Sequence, residues 1–176
     1  MKVVSENIYH IYNQGNNHQK IFFDREDYLL FLKFYRKFVA NNCETLSYCL
    51  MPNHFHFLIY TTVSITEEIK LRGIQIQKLS DGFRRLLSTY AQEINAKNNT
   101  SGSLFRQKTK AKLLQNDIFI LRKSYTESCF HYIYHNPYSS NLVENILDWQ
   151  FSSALAYFGL RRGTICNQEL ALILLN

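Results

Sequence analysis

The sequence predicts an α+β fold, a four-stranded antiparallel sheet with helices packed on one face. Short β-rich runs and longer amphipathic runs follow one another in the order strand, helix, strand, strand, helix, strand, helix. The second and third strands are separated only by a tight Pro-Asn connection. The 176 residues, 46% of them hydrophobic, are enough to bury one core without disulfides or metals to hold it.

The segment "VVSENIYHIYNQGNN" is rich in β-branched and aromatic residues and ends in Gly and Asn, so it reads as a first strand and its turn, with His10 and Tyr12 on one face. In "DREDYLLFLKFYRKFVANN", Asp24 is placed to cap a helix and Asp27 stands at its third position, while Leu29, Leu32, Phe34 or Tyr35, and Phe38 recur at helical spacing. "TLSYCLM" and "HFHFLIYTT" then form a hairpin across "MPN". From about Thr66 to Lys97 the residues Ile69, Ile76, Leu79, Phe83, Leu86, Tyr90 and Ile94 predict a second amphipathic helix, with Arg72, Lys78 and Arg85 toward its polar side. After the flexible "NNTSGS", the run "LFRQKTKAKLLQ" alternates as a fourth strand, with Lys108, Lys110 and Lys112 forming a ridge on one face and Thr109, Ala111 and Leu113 on the other. A third helix is expected from about Asp117 to His135, stopped at "NP" because Pro137 disfavours α geometry in the residue before it. The first six elements match the split β-α-β, ferredoxin-like arrangement. One domain over 1–176 is expected, with a C-terminal extension from about Asn141.

Twenty Lys and Arg against fourteen Asp and Glu leave a formal charge of +6. That favours an acidic partner, most simply nucleic acid. Cys43, Cys49, Cys129 and Cys166 form no CxxC pair and, with no signal peptide, read as reduced thiols in a cytoplasm. No apolar run reaches membrane-spanning length, so no membrane partner is expected.

The stretch "MPNHFHFLIY" sets two imidazoles in an apolar run. On a strand, His54 and His56 project together while Phe55 and Phe57 enter the opposite face, so the pair can hold one metal or stand as two half-exposed histidines. In "SCFHYIYHNP", Tyr132 and Asn136 share a helical face, so an Asn136 amide oxygen can reach a metal held by the histidines with Tyr132 beside it. Ordinary core for the tyrosine and a helix end at the asparagine fit that spacing equally well. Nothing in the spacing of Cys49 and Cys129 supports a zinc site with the histidines.

"MPNHFHFLI", "YIYHNP" and "DWQFSS", in that order and preceded by "YHIYNQGNNHQKIFFDREDYLLFL", resemble the REP-associated tyrosine transposase branch of the HUH single-strand transposases of insertion sequences. The likeness spans roughly Ile8 to Phe158. It implies that Tyr132, on a C-terminal helix, is the catalytic nucleophile, and that His54, His56 and Asn136 bind a divalent metal, Mg²⁺ or Mn²⁺. Gln14 departs from the pattern, which commonly has Arg after the first strand, and this bears on a substrate contact. Two imidazoles and an amide by themselves suit Mn²⁺, Co²⁺ or Zn²⁺ better than Mg²⁺.

The implied reaction is transesterification on single-stranded DNA folded as a hairpin, through a 5′-phosphotyrosine, in a bacterial cytoplasm. A phenol titrates near pH ~10, so its attack on a phosphodiester needs assistance. Lys108, Lys110 and Lys112, with Arg106, Arg122 and Lys123 nearby, suit a phosphate track, and solvated surface is the other fate open to them. His131 and His135 are expected to face solvent or phosphate. A monomer or homodimer with its site in cis is expected, because only "LLQND" precedes the tyrosine helix and leaves little slack for exchange. Two other readings share these residues: a nucleic-acid-binding protein of the same fold without transposition, and a metal-dependent phosphodiester hydrolase.

Overall fold

The computed structural model describes residues 1–63, 67–114 and 123–175. Four strands, β1 (Asn7–Gln14), β2 (Glu44–Met51), β3 (His54–Thr61) and β6 (Lys110–Leu114), form one antiparallel sheet in the order β2-β3-β1-β6. This is the expected ferredoxin-like order. Pro52 and Asn53 close the β2–β3 hairpin, and the Pro52 carbonyl accepts from the backbone N–H groups of Ile21 and Phe22 at 2.8 and 3.1 Å.

Side chains alternate across the sheet and feed two cores. Tyr9, Ile11, Leu50, Phe55, Phe57 and Ile59 meet the helices α1 (Arg25–Phe38) and α2 (Lys78–Asn98). Tyr35 lies flat on Phe57 with ring centroids 4.0 Å apart. The other face carries Ile8, Leu46, Cys49, Met51 and Leu58 against Phe130, Ile133 and Tyr134 of α3 (Lys123–Ser139). The two connecting helices thus share one face, and the tyrosine helix lies on the other.

The start of α1 follows the expected chemistry. Asp24 accepts from the Asp27 N–H while the Asp27 carboxylate accepts from the Asp24 N–H, a reciprocal capping box. Its inward face is Tyr28, Phe31, Leu32, Tyr35 and Phe38; Leu29, expected on that face, is 42% exposed. Close approach of α2 to α1 depends on Gly82, where a Cβ would sit 2.3 Å from the Phe38 carbonyl oxygen.

Three expected elements take a different form. The expected helix from Thr66 is instead a separate hairpin of β4 (Glu68–Leu71) and β5 (Ile74–Gln77), followed by α2; Thr66 itself lies outside the described residues. Arg72 and Gly73 make the turn, both at positive φ (49° and 85°), which suits a tight two-residue hairpin. The fourth strand begins at Lys110, so Lys108 stands before it rather than on a continuous ridge. The tyrosine helix runs through Pro137 to Ser139, and its expected start at Asp117 lies outside the described residues. Pro137 falls in the last turn, where few helical bonds remain to lose, and the Ser140 N–H still reaches the Asn136 carbonyl at 3.0 Å.

The segment after α3 returns to the open edge of β2. The Leu50 N–H donates to the Phe151 carbonyl at 2.9 Å, Ser153 donates to Tyr48 at 2.9 Å, and Trp149 Nε1 donates to the Leu50 carbonyl at 2.9 Å. Phe151 stacks on Tyr28 at 3.8 Å. "DWQFSS" therefore caps a strand edge that would otherwise offer unpaired backbone groups. Two short helices, α4 (Ala154–Tyr157) and α5 (Gln168–Leu175), complete the chain.

Candidate active site

The period of two along β3 turns His54 and His56 toward α3 and sends Phe55 and Phe57 into the opposite core. Register then brings β1 alongside, with Tyr12 opposite His56 and Gln14 opposite His54. On α3, Tyr132 is half exposed and its ring lies 5.6 Å from that of His56 and 6.4 Å from that of His10. Asn136, one turn on, is buried and lies beside His54. Its Nδ2 also faces the Tyr132 carbonyl at 3.4 Å. The residues singled out on two distant segments therefore come together: the His54 and His56 rings are 4.9 Å apart, Tyr132 faces His56, and Asn136 lies beside His54. Tyr134 points into the second core, as its position two residues past Tyr132 requires.

Each imidazole has one nitrogen engaged. His54 Nδ1 is 2.6 Å from the Asn53 side-chain oxygen, and His56 Nδ1 is 2.8 Å from His10 Nε2. His56 Nε2 is buried and has no hydrogen-bond partner among the described residues. Burial holds the His56 imidazolium well below the ordinary histidine range, with His10 and His54 acting in the same direction. His54 is lowered by burial, with the neighbouring Asn136 acting in the opposite direction. His10 is pushed down to about 4, chiefly by burial and then by Lys112. All three rings are thus neutral at pH 7, the form that offers a lone pair to a metal.

That donor set fits a divalent cation. A buried polar atom without a partner costs roughly 1–3 kcal/mol, and His56 Nε2 is such an atom, with the His54 ring 4.9 Å away and Asn136 beside His54. Among the described residues no three His, Cys, Asp or Glu side chains group to hold a metal ion, so a centre here needs the Asn136 amide beside the two histidines. Cys49 and Cys129 are buried, and burial raises both thiols, Cys129 to about 11, so neither offers a thiolate at neutral pH.

The basic residues divide into three places. Lys112, paired in register with His10, lines a cleft of about 450 Å³ with His10, Tyr12, His56, Tyr125, Cys129 and Tyr132, and its ammonium donates to the Tyr125 hydroxyl. Lys108 and Lys110 border another cavity, toward α2, with Lys2 and Arg84. The Arg106 backbone N–H donates to the Gln14 carbonyl at 2.9 Å and its guanidinium lies 3.1 Å from His18 Nε2, which puts a positive charge near position 14 at the His54 end of the sheet. Arg122 lies outside the described residues. His131 and His135 are exposed, with His131 3.8 Å from Glu127. The sequence assigned no role to His10, and its only signal was an imidazole sharing a strand face with Tyr12.

The fold is similar to that of a REP-associated tyrosine transposase solved bound to a REP hairpin, with a TM-score of 0.61 and 16% identity, over 95% of this chain and 92% of that one. Two structures of a bacterial tRNA(His) guanylyltransferase-like protein align less well. The GTP complex has a TM-score of 0.43 and 13% identity, over 82% of this chain and 72% of that one. The ATP complex has 0.44 and 15%, over 89% and 73%. No protein-family model and no curated protein matches the sequence.

Proposed function

We propose that this protein is a metal-dependent transposase and single-strand endonuclease that cleaves and rejoins hairpin-containing single-stranded DNA through a 5′-phosphotyrosine at Tyr132. The observation that carries this reading is that Tyr132 faces His56, whose ring lies 4.9 Å from that of His54, with Asn136 beside His54. The likeness in fold to a tyrosine transposase bound to a DNA hairpin supports it.

His54, His56 and Asn136 would hold the cation, Mg²⁺ or Mn²⁺, which when bound polarises the scissile phosphate and offsets the charge built during attack. Tyr132, half exposed at the mouth of the cleft, can meet a phosphate without unfolding the helix. As its Oη bonds to phosphorus, the P–O3′ bond breaks and the phenolic proton ends on the released 3′-oxygen. One phosphodiester replaces another, so a DNA 3′-hydroxyl can reverse the step without ATP. Lys112 and Arg106 stand at either side of the histidines and serve the flanking phosphates. The nucleophile and the proposed ligands come from one chain, which supports a site in cis.

The test is incubation with Mn²⁺ and a labelled panel of DNA hairpins bearing single-stranded flanks. Label that stays with the protein after denaturation is the expected result. Binding without cleavage favours the non-catalytic reading, and a free 5′-phosphate without adduct favours a hydrolase.

A further inference from the structure

We propose that His10 is a positioning residue for the metal site: its Nε2 accepts a hydrogen bond from His56 Nδ1–H and so fixes His56 in the tautomer whose Nε2 lone pair faces the cleft. This rests on the reading of His54, His56 and Asn136 as the metal-binding set.

The geometry is specific. His10 Nε2 and His56 Nδ1 are 2.8 Å apart, and the two rings stack at 4.9 Å with 30° between their planes. Only one proton fits between the two nitrogens. If His10 donated it, His56 would carry its own proton on Nε2, which is buried and has no acceptor among the described residues. Orphaned buried donors are rarer in folded proteins than under-used acceptors. If His56 donates, Nε2 keeps its lone pair, which is what a ligand requires. His10 is itself held by the sheet, since Leu58 and Lys112 are its partners in register on the two neighbouring strands. It is therefore a fixed acceptor on a neighbouring strand, and His54 has its counterpart in Asn53. Removing such an outer partner typically weakens a metal site by about 10–100-fold.

The experiment compares the full chain with His10→Ala and His10→Gln, the latter restoring a carbonyl acceptor. Imidazole ¹⁵N spectra of metal-free protein, with His56 identified by loss of its signals in His56→Ala, report the tautomer; Mn²⁺ affinity is measured by electron paramagnetic resonance. The wild type is expected to show a protonated Nδ1 and a pyridine-type Nε2 on His56. His10→Ala is expected to mix the two tautomers and weaken Mn²⁺ binding about 10–100-fold, and His10→Gln to recover most of both. A wild-type His56 protonated on Nε2, or a folded His10→Ala that keeps wild-type tautomer and affinity, overturns the assignment. If His10→Ala does not fold, His10→Gln decides: wild-type tautomer and near-wild-type Mn²⁺ binding support the role, and loss of both in a folded variant refutes it. Correct tautomers with no covalent DNA product would leave His10 in place and remove the transposase reading instead.

Discussion

Tyr132 and the three side chains around it divide the proposed chemistry in a way that substitutions can separate. Tyr132→Phe is expected to bind hairpin DNA normally and lose covalent product by several orders of magnitude, whereas Tyr125→Phe keeps it, because Tyr125 is engaged by Lys112 rather than set against the histidines. His54→Ala or His56→Ala should abolish cleavage while the protein stays folded and binds DNA, as should chelation of the metal; unchanged cleavage in either variant refutes the ligand role. The buried histidines also make stability depend on pH. A ring held at about 4 in the folded chain and near 6.5 in the unfolded one stabilises fully above pH 6.5, and that contribution is lost as pH falls toward 4. His10 alone sets an upper limit on the order of 3 kcal/mol, and His54 and His56 act in the same direction. Urea midpoints at pH 7 and pH 4.5 measure it, with a smaller difference expected in His10→Gln. At this scale the HxH pair was legible because a strand's period of two is local. His10 was not, since its bond to His56 joins residues 46 apart in sequence and depends on strand register.

Helix α1 could be read to its first residue because its capping box is written in adjacent side chains, Asp24 and Asp27. The β4–β5 hairpin could not. Ile69 and Ile76 stand seven apart, a separation that suits two turns of helix, yet in the structure they are direct cross-strand partners. Gly82 is the other silent position. Gly82→Ala is expected to destabilise by about 1–3 kcal/mol through overpacking against Phe38, seen as a lower thermal midpoint; an unchanged midpoint would show that α1 and α2 can part without cost. The lysines on β6 and just before it make a separate test. Lys112 lines the cleft and Lys108 and Lys110 border another cavity, so Lys112→Ala should lower DNA affinity and remove about one unit of salt slope. Replacing all three lysines should remove no more than about three units, and an unchanged slope would return them to ordinary solvated surface.

The described residues fold so that one sheet packs a core against α1 and α2 on one face and, on the other, carries the proposed site beside a second core against α3. Element order alone pointed to this arrangement, because a strand order of β2-β3-β1-β6 places the HxH strand beside the first strand at the centre of the sheet. The return of "DWQFSS" to the edge of β2 was not legible, since it depends on where α3 ends. With all four proposed site residues in one chain, mixing Tyr132→Phe with the doubly substituted His54→Ala, His56→Ala protein should restore no covalent product; restoration would show a site shared between subunits. The most direct measurement is mass spectrometric mapping of the adduct formed by the wild-type chain with Mn²⁺ and a cleavable DNA hairpin. A 5′-phosphotyrosine on the peptide containing Tyr132 is expected, and an adduct at any other residue, or cleaved DNA with no adduct at all, would contradict the mechanism.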